Sequence, residues 1–195
     1  MILSNLEIQR ALDEGRLIID PEPLPRKQVP GGEECPYDTH SVNLKLHHEI
    51  SIPQSGPFAY DLMTPGSVSN VIHIHCERIS LKQDQPYALE PNKFILAMTH
   101  ETIGLPIDKG RPYLAARIEG KSSRARCGVL VHCTAPIIHP NWHGQLTLEM
   151  INLGPVTFLL RPKMLIAQLI VEEVRGEVML NPSQFQNQST PEGLP

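Results

Sequence analysis

The chain alternates apolar and polar residues over many short stretches. In the segment that begins at Ser41, the apolar residues Val42, Leu44 and Leu46 occupy every second position. This alternation predicts strands with one buried and one exposed face. The same criterion predicts strands over residues 16–20, 71–75, 87–89, 94–99, 113–118, 128–133, 145–151 and 156–160. Residues 165–171 are almost continuously apolar, which predicts a strand at the centre of a sheet.

A single helix is expected, close to the beginning of the chain. Ser4 and Glu7 have the spacing of a capping box, and Leu6, Ala11 and Leu12 supply an apolar face before a glycine ends the pattern. The chain also contains 19 prolines, which favour short segments joined by rigid turns. One helix and many short strands predict a mostly β fold, either a β-barrel or a jelly roll.

The size and charge of the chain exclude several classes of protein. With 195 residues and 41% apolar content, we expect one domain, and the net charge of −4 argues against binding to long nucleic acids. No apolar run reaches the ~18 residues of a membrane span, and no targeting segment is recognisable, so we expect a cytoplasmic protein. The four cysteines include no C-x-x-C pair, which predicts reduced and mostly buried thiols.

The last fifteen residues differ in composition from the rest of the chain. Residues 181–195 are rich in Asn, Gln, Ser and Pro and cannot form a core of their own. We therefore divide the chain into a β domain over 1–180 and a flexible tail over 181–195. The tail is either free or closes over a site on the domain.

The nine histidines raise the question of a metal site. His73, His75 and Cys76 would project from one strand in a zinc-like pattern, and His139 and His143 lie in a turn. The alternative for both groups is an ordinary polar surface. No second pair of ligands has the spacing of a tetrahedral zinc site, so we favour a protein without a bound metal.

One segment concentrates basic and hydroxyl side chains. G-K-S-S-R-A-R-C-G, residues 120–128, places Lys121, Arg124 and Arg126 around the paired hydroxyls of Ser122 and Ser123. Cations and donors beside a glycine suit a small anion such as a phosphate group. The alternative is a solvated charged loop. The segment is not a P-loop, because the earlier glycine of that motif is absent.

A lone carboxylate interrupts a later strand. In G-Q-L-T-L-E-M-I-N, residues 144–152, Leu146, Leu148 and Met150 share one face, whereas Glu149 shares the opposite face with Thr147. Glu149 is therefore either an exposed strand residue or a group held in a cleft. In an apolar cleft its pKa would rise towards neutrality, as a general base requires.

The order of these motifs closely resembles the dCTP deaminase family, sister to the trimeric dUTPases. The resemblance rests on G-K-S-S-x-A-R-x-G-V-L-V-H-x-T-A, I-x-P-x-W-x-G-x-L-T-L-E and R-P-x-M-x-I-x-Q-L. The opening S-N-L-E-I-Q-R-A-L-D-E-G-R-L-I-I-D-P and the tail F-Q-N-Q-S-T-P-E-G are also similar to that family. It covers the first twenty or so residues and most of residues 86–171, and it is weak over 21–85.

The resemblance implies a homotrimer of distorted, dUTPase-like β-barrels that deaminates dCTP to dUTP at sites between subunits. It implies that Glu149 activates the attacking water without zinc, that Ser122 and Arg126 orient it, and that Mg²⁺ arrives with the triphosphate. The nucleotide-binding residues implied in the same way are Lys121, Ser123, Arg124, Ala125, Ala135, His139, Thr147, Leu148 and Gln188.

The chain departs from that family at three positions. His139 replaces a usual acid, Gln184-Phe185 replaces Lys-Tyr in the tail, and Asn43 replaces an aspartate. Two alternatives to deamination stay open. The first is hydrolysis of dUTP to dUMP, alone or together with deamination; His139 argues against it, although a histidine could take over as the base. The second is a catalytically weak homologue that binds nucleotides and acts as a regulator, which the altered tail and the weakly matching residues 21–85 support.

Overall fold

A computed structural model describes residues 1–57, 59, 61, 63, 72–108, 110–181 and 183–193. Apart from the helical residues 72–74, the regular elements over these residues are two short helices and thirteen strands. In chain order they are α1 (Asn5–Asp13), β1 (Ile18–Asp20), β2 (Tyr37–Asp38), β3 (Ser41–Lys45), β4 (Glu49–Pro53), β5 (Cys76–Ser80), β6 (Tyr87–Leu89), β7 (Phe94–Gly104), β8 (Tyr113–Gly120), α2 (Ser122–Ala125), β9 (Val129–Leu130), β10 (Ile137–Ile138), β11 (His143–Asn152), β12 (Phe158–Leu160) and β13 (Leu165–Val174).

The strands form two larger sheets and one small one. The first sheet has the order β5-β4-β7-β11-β9, with β1 also paired to β7, and the second has the order β10-β8-β13-β3-β2. Strands β12 and β6 pair separately. The predicted central strand is confirmed, because β13 lies between β8 and β3. The predicted barrel is not: over the described ranges both larger sheets stay open, since their edge strands do not pair with one another.

Alternate residues of the long strands build one hydrophobic core between the sheets. Along β11 the residues Leu146, Leu148 and Met150 are buried, whereas Thr147 and Glu149 on the other face are only half-buried. The sheets are linked where Leu46, just after β3, forms a bridge with Thr99 of β7. Burial of these apolar side chains is the main stabilising contribution to the fold.

Helix α1 begins where the capping pattern predicts. Ser4 is the N-cap, and its side-chain oxygen accepts a hydrogen bond from the backbone N–H of Glu7 at 3.3 Å. Ile8 and Ala11 anchor the helix in the core. Among the described residues, no helix is long and apolar enough to cross a membrane.

Two local predictions are wrong. Residues 72–74 are helical and β5 begins only at Cys76, so the predicted strand over 71–75 is not formed; Val71 lies outside the described residues. Ile74 is 72% exposed, and an alternating pattern without a buried face does not specify a strand. The cysteines are free as predicted, but Cys127 and Cys133 are exposed rather than buried.

Candidate functional site

A cavity of about 390 Å³ opens beside Glu149, and we call it the Glu149 cavity. Strands β7, β8 and β11 form its floor through Leu96, Ile118 and Thr147. The segment over residues 135–139 forms one side, and residues of the tail form the other. The volume is in the range that encloses a small organic molecule.

One backbone contact orients the carboxylate of Glu149. The N–H of Cys133 donates a hydrogen bond to Oε2 of Glu149 at 2.9 Å. No other hydrogen bond joins the Glu149 carboxylate to the part of the chain that the structure describes, so Oε1 is available to a molecule in the cavity. Burial and the negative charge of Glu149 raise the pKa of the neighbouring Cys133 thiol, which therefore stays protonated at neutral pH.

The walls of the cavity are mainly apolar. Ile137, Trp142 and Phe185 face the same space as Glu149, and His139 lies at its exposed rim. Apolar walls hold a flat ring by contact and exclude bulk water, while a few polar groups fix its orientation. The cavity thus combines the oriented Glu149 carboxylate with surfaces that suit a planar heterocycle.

The tail lies across the cavity. Gln188 is 6% exposed, and its side-chain amide donates to the carbonyl of Gln145 at 2.7 Å. Further along, Thr147 donates its hydroxyl to the carbonyl of Pro191 at 3.3 Å. Gly144 makes this close approach possible: its φ is +149°, and a Cβ there would lie 3.2 Å from the backbone nitrogen of Gln188.

The basic segment over residues 121–126 does not line the cavity. It comprises Lys121 as the N-cap residue of α2, the helix itself and Arg126 as its C-cap residue. Nζ of Lys121 donates a hydrogen bond to Oδ1 of the buried Asn43. The side chains of Ser122, Ser123 and Arg126 are exposed.

Two glycines fix the far end of this segment. Gly128 has a φ of +91°, and a Cβ on Gly154 would lie 1.9 Å from the carbonyl oxygen of Cys127. The N–H of Leu153 donates to the carbonyl of Gly128 at 2.8 Å. This backbone contact is too close for any side chain, so it ties the basic segment to the end of β11.

The structure therefore divides the residues expected at the site into three groups. The residues that line the Glu149 cavity are Glu149, Ala135, His139, Thr147 and Gln188. The residues of the separate basic segment are Lys121, Ser122, Ser123, Arg124, Ala125 and Arg126. Leu148 is fully buried and points into the core from the opposite face of β11.

The histidine pattern considered for zinc has a different arrangement. His73 lies beside β5, with Nδ1 3.2 Å from Nη2 of Arg78. Within the described ranges, no group of three or more His, Cys, Asp or Glu side chains could hold a metal ion.

The cavity residues that escaped the sequence reasoning include Trp142, Phe185 and Glu192. The family-like motifs contain Trp142 and Phe185, but the sequence analysis gave neither residue a binding role. An aromatic residue in a polar turn or tail is nevertheless a signal for a binding surface. Glu192 had no such signal, because a glutamate near a chain end is normally solvated. Its burial depends on strands more than a hundred residues away.

A second buried carboxylate lies away from the cavity, in the core. Glu101 on β7 is 1% exposed, and its Oε2 accepts a hydrogen bond from the backbone N–H of Lys45 at 2.9 Å. Burial raises the pKa of Glu101 to about 7 from the usual 4.5, because its backbone donors do not replace the lost hydration.

Comparisons with known proteins agree on one family. The family model described as dCTP deaminase-like matches residues 2–174. A dUMP-forming dCTP deaminase of Dictyoglomus thermophilum is 36% identical over 169 residues, which cover 87% of this chain and 78% of that protein. A dCTP deaminase of Rhodospirillum rubrum is 34% identical over 174 residues, covering 88% and 82% of the two chains.

A solved structure supports the fold. The 2'-deoxycytidine 5'-triphosphate deaminase of Agrobacterium tumefaciens superposes with a TM-score of 0.62 at 17% identity. The match covers 94% of this chain but 51% of that one, so this chain spans about half the length of the solved protein. At this identity the likeness concerns the fold alone.

Proposed function

Because the chain belongs to the dCTP deaminase-like family, we propose that it hydrolyses dCTP to dUTP and ammonia. The observation that carries the proposal is the oriented Glu149 carboxylate at the wall of an apolar cavity. The relative from R. rubrum is named a dCTP deaminase, and the relative from D. thermophilum is named a dUMP-forming dCTP deaminase. A soluble triphosphate substrate would place the enzyme in the cytoplasm.

Glu149 would act as the general base. Its Oε1 takes a proton from a water molecule, the resulting hydroxide forms a bond to C4 of cytosine, and Glu149 passes that proton to the ring nitrogen N3. Glu149 then takes the proton of the new C4 hydroxyl and delivers it to the exocyclic amine. The C4–N4 bond breaks, ammonia leaves, the uracil carbonyl forms, and Glu149 is ionised again. The N–H of Cys133 keeps Oε2 in place throughout these transfers.

The walls of the cavity would select the cytosine ring of the nucleotide. Ile118, Ile137 and Trp142 leave room for a flat ring and exclude excess water from it. Ala135 lies on the same side and allows close packing against the nucleotide. His139 at the rim would face the sugar, and Gln188 would close over the phosphates from the tail.

The triphosphate requires the basic segment, which the cavity of the same chain lacks. Ser122 and Arg126 from a neighbouring copy would complete the cavity in a homotrimer, and Lys121 and Ser123 would bind the phosphates of the dCTP–Mg²⁺ substrate. Support comes from the separation of the two groups within one chain and from the exposed state of Ser122, Ser123 and Arg126. A closed homotrimer supplies each site with both halves.

The test is product analysis by chromatography after incubation with Mg²⁺ and either dCTP or dUTP. We expect dCTP to yield dUTP, and Glu149→Gln to reduce the rate at least about a thousandfold, since the amide cannot accept the proton. Glu34→Gln, an exposed carboxylate far along the chain from this strand, is the matched control and should keep full activity.

Other products would change the assignment. Formation of dUMP and pyrophosphate would show hydrolysis of the phosphate chain in addition to deamination, or instead of it if dUTP alone is consumed. Nucleotides that raise the Tm without being converted would replace the enzymatic proposal with that of a nucleotide-binding regulator.

A further inference from the structure

A buried ion pair fastens the tail to the first sheet. The side chain of Glu192 has no exposed surface, whereas its partner Arg78 is 39% exposed. Oε1 of Glu192 accepts hydrogen bonds from Nε of Arg78 at 3.1 Å and from the hydroxyl of Ser51, and Oε2 accepts from Nη2 of Arg78 at 2.9 Å. We call these three residues the latch.

The two latch residues that bind Glu192 lie on rigid, paired strands. Ser51 on β4 and Arg78 on β5 are direct cross-strand partners, and Ser51 is also paired with Leu96 of β7. Leu96 lines the Glu149 cavity. The sheet therefore holds the latch next to the cavity. Because Arg78 lies in a strand and not in a loop, replacing it should displace the tail rather than shift the backbone around Arg78.

The electrostatics favour the closed arrangement. Burial alone would raise the pKa of Glu192, but the hydrogen bonds from Arg78 and Ser51 outweigh it and lower that pKa below its usual value. Glu192 is thus ionised at neutral pH and needs a cation beside it. Without Arg78, an uncompensated carboxylate would remain at the wall of a cavity.

The latch also sets the position of the tail residues that cover the cavity. Pro191 and Gly193 line the cavity on either side of Glu192, and the carbonyl of Pro191 is bound by Thr147. Gly193 packs against Phe185, where a Cβ would lie 2.7 Å from the aromatic ring. These contacts form a continuous cover only if Glu192 is in place.

We propose that Arg78 and Ser51 are positioning residues, which hold the tail over the nucleotide cavity by binding Glu192. Their effect on catalysis rests on the proposed function, whereas their effect on the tail does not. The proposal also gives a role to the part of the chain, residues 21–85, in which the family resemblance is weakest.

Two measurements test the latch. The first is the rate of chymotrypsin cleavage after Phe185, followed by mass spectrometry, because this half-buried residue is cut only when the tail opens. The second is the separation of KM and kcat for dCTP with Mg²⁺. The variants are Arg78→Met, Glu192→Gln, Ser51→Ala and the double variant of the first two. The control is Arg10→Met, which removes an exposed pair between Arg10 and Glu7.

We expect Arg78→Met to accelerate cleavage about tenfold or more, because it leaves the buried carboxylate unpaired. Glu192→Gln should have a smaller effect, since the amide oxygen still accepts from Ser51 and Arg78. The double variant should be cleaved no faster than Arg78→Met, because it removes the unpaired charge. KM for dCTP should rise in parallel, with kcat kept within about twofold, because Glu149 is unchanged.

Wild-type cleavage and wild-type KM in Arg78→Met would overturn the proposal. The proposal would also be overturned if the effects of Arg78→Met and Glu192→Gln on the cleavage rate were additive in the double variant. Arg78 and Glu192 would then act independently. If Arg78→Met is unfolded by circular dichroism, Ser51→Ala and Glu192→Gln decide in its place, and unchanged cleavage in both overturns the proposal. Faster cleavage in latch variants of a protein that does not convert dCTP would uphold the latch and reject the proposed function.

Discussion

Lys121 donates a hydrogen bond from Nζ to Oδ1 of Asn43, and the side-chain amide of Asn43 in turn donates to Asp38 at 3.3 Å. Asn43 is 1% exposed and belongs to β3, so it holds the lysine against a rigid sheet. Its amide is neutral and leaves the positive charge of Lys121 uncompensated by this contact. The contact therefore holds an ammonium group within the basic segment without neutralising its charge.

Replacing this lysine should weaken phosphate binding. We expect Lys121→Met to raise KM for dCTP about tenfold, the usual loss for a charged hydrogen bond. Inhibition by deoxycytidine, which has no phosphate, should be unchanged. In a Lys121→Met background, Asn43→Ala should add little to KM, whereas equal and additive effects of the two changes would show that Asn43 does not act through Lys121.

A mixture of two inactive variants should regain activity. If each site takes Glu149 from one copy and Arg126 from another, trimers refolded from equal amounts of Glu149→Gln and Arg126→Ala contain about a quarter intact sites. Deamination of dCTP in the mixture, compared with each variant alone, measures this recovery. The double variant in one chain should stay inactive, and a mixture without activity would place both halves in the same chain.

The buried Glu101 makes stability depend on pH. With a folded-state pKa of about 7 against the usual 4.5, the folded protein keeps a proton that the unfolded chain releases. The contribution of Glu101 to the free energy of unfolding is therefore greatest below pH 4.5. It falls as the pH rises to about 7 and is constant above that pH.

The substitution Glu101→Gln should remove this loss, because the amide oxygen still accepts from Lys45 without a buried charge. We expect the variant to be more stable than wild type by about 3 kcal/mol at pH 8 and by less than about 1 kcal/mol at pH 5. Urea unfolding at the two pH values measures the difference. An equal difference at both would mean that Glu101 does not titrate in this range.

The glycine contact behind the basic segment should not tolerate a side chain. A methyl group in Gly154→Ala would collide with the carbonyl of Cys127, so we expect a loss of about 3 kcal/mol of stability. Gly120→Ala is the matched comparison, because its Cβ would meet only Val131 at 3.6 Å. Thermal unfolding of both variants tests this; similar Tm values for the two would contradict the tight contact.

Local features of the fold were predictable, and distant pairing was not. The Ser4 cap and the strands β6 and β13 follow from the residues within each short segment, without knowledge of their partners in the fold. The open sheets do not, because the pairing of edge strands depends on contacts between distant segments. The prediction of a strand over 71–75 was wrong for a related reason. Alternation with period two indicates a strand only when one face packs against a core, and Ile74 is exposed.

The same distinction applies to the site. Period two placed Glu149 on the face opposite Leu146, and the structure shows it at a cavity wall. The latch could not be found in this way, because Ser51, Arg78 and Glu192 are distant in sequence and each has the character of a surface residue. Only the folded arrangement makes them a buried group.

The raised pKa of the Cys133 thiol has a consequence for oxidative damage. Peroxides and alkylating agents attack the thiolate, and the burial and the Glu149 charge that favour the thiol keep the thiolate scarce. Burial and the charge of Glu149 therefore disfavour the thiolate of the same residue whose backbone N–H orients the carboxylate. Although Cys133 is exposed, we expect its thiol to react more slowly with alkylating agents than the thiol of an exposed cysteine without a neighbouring carboxylate.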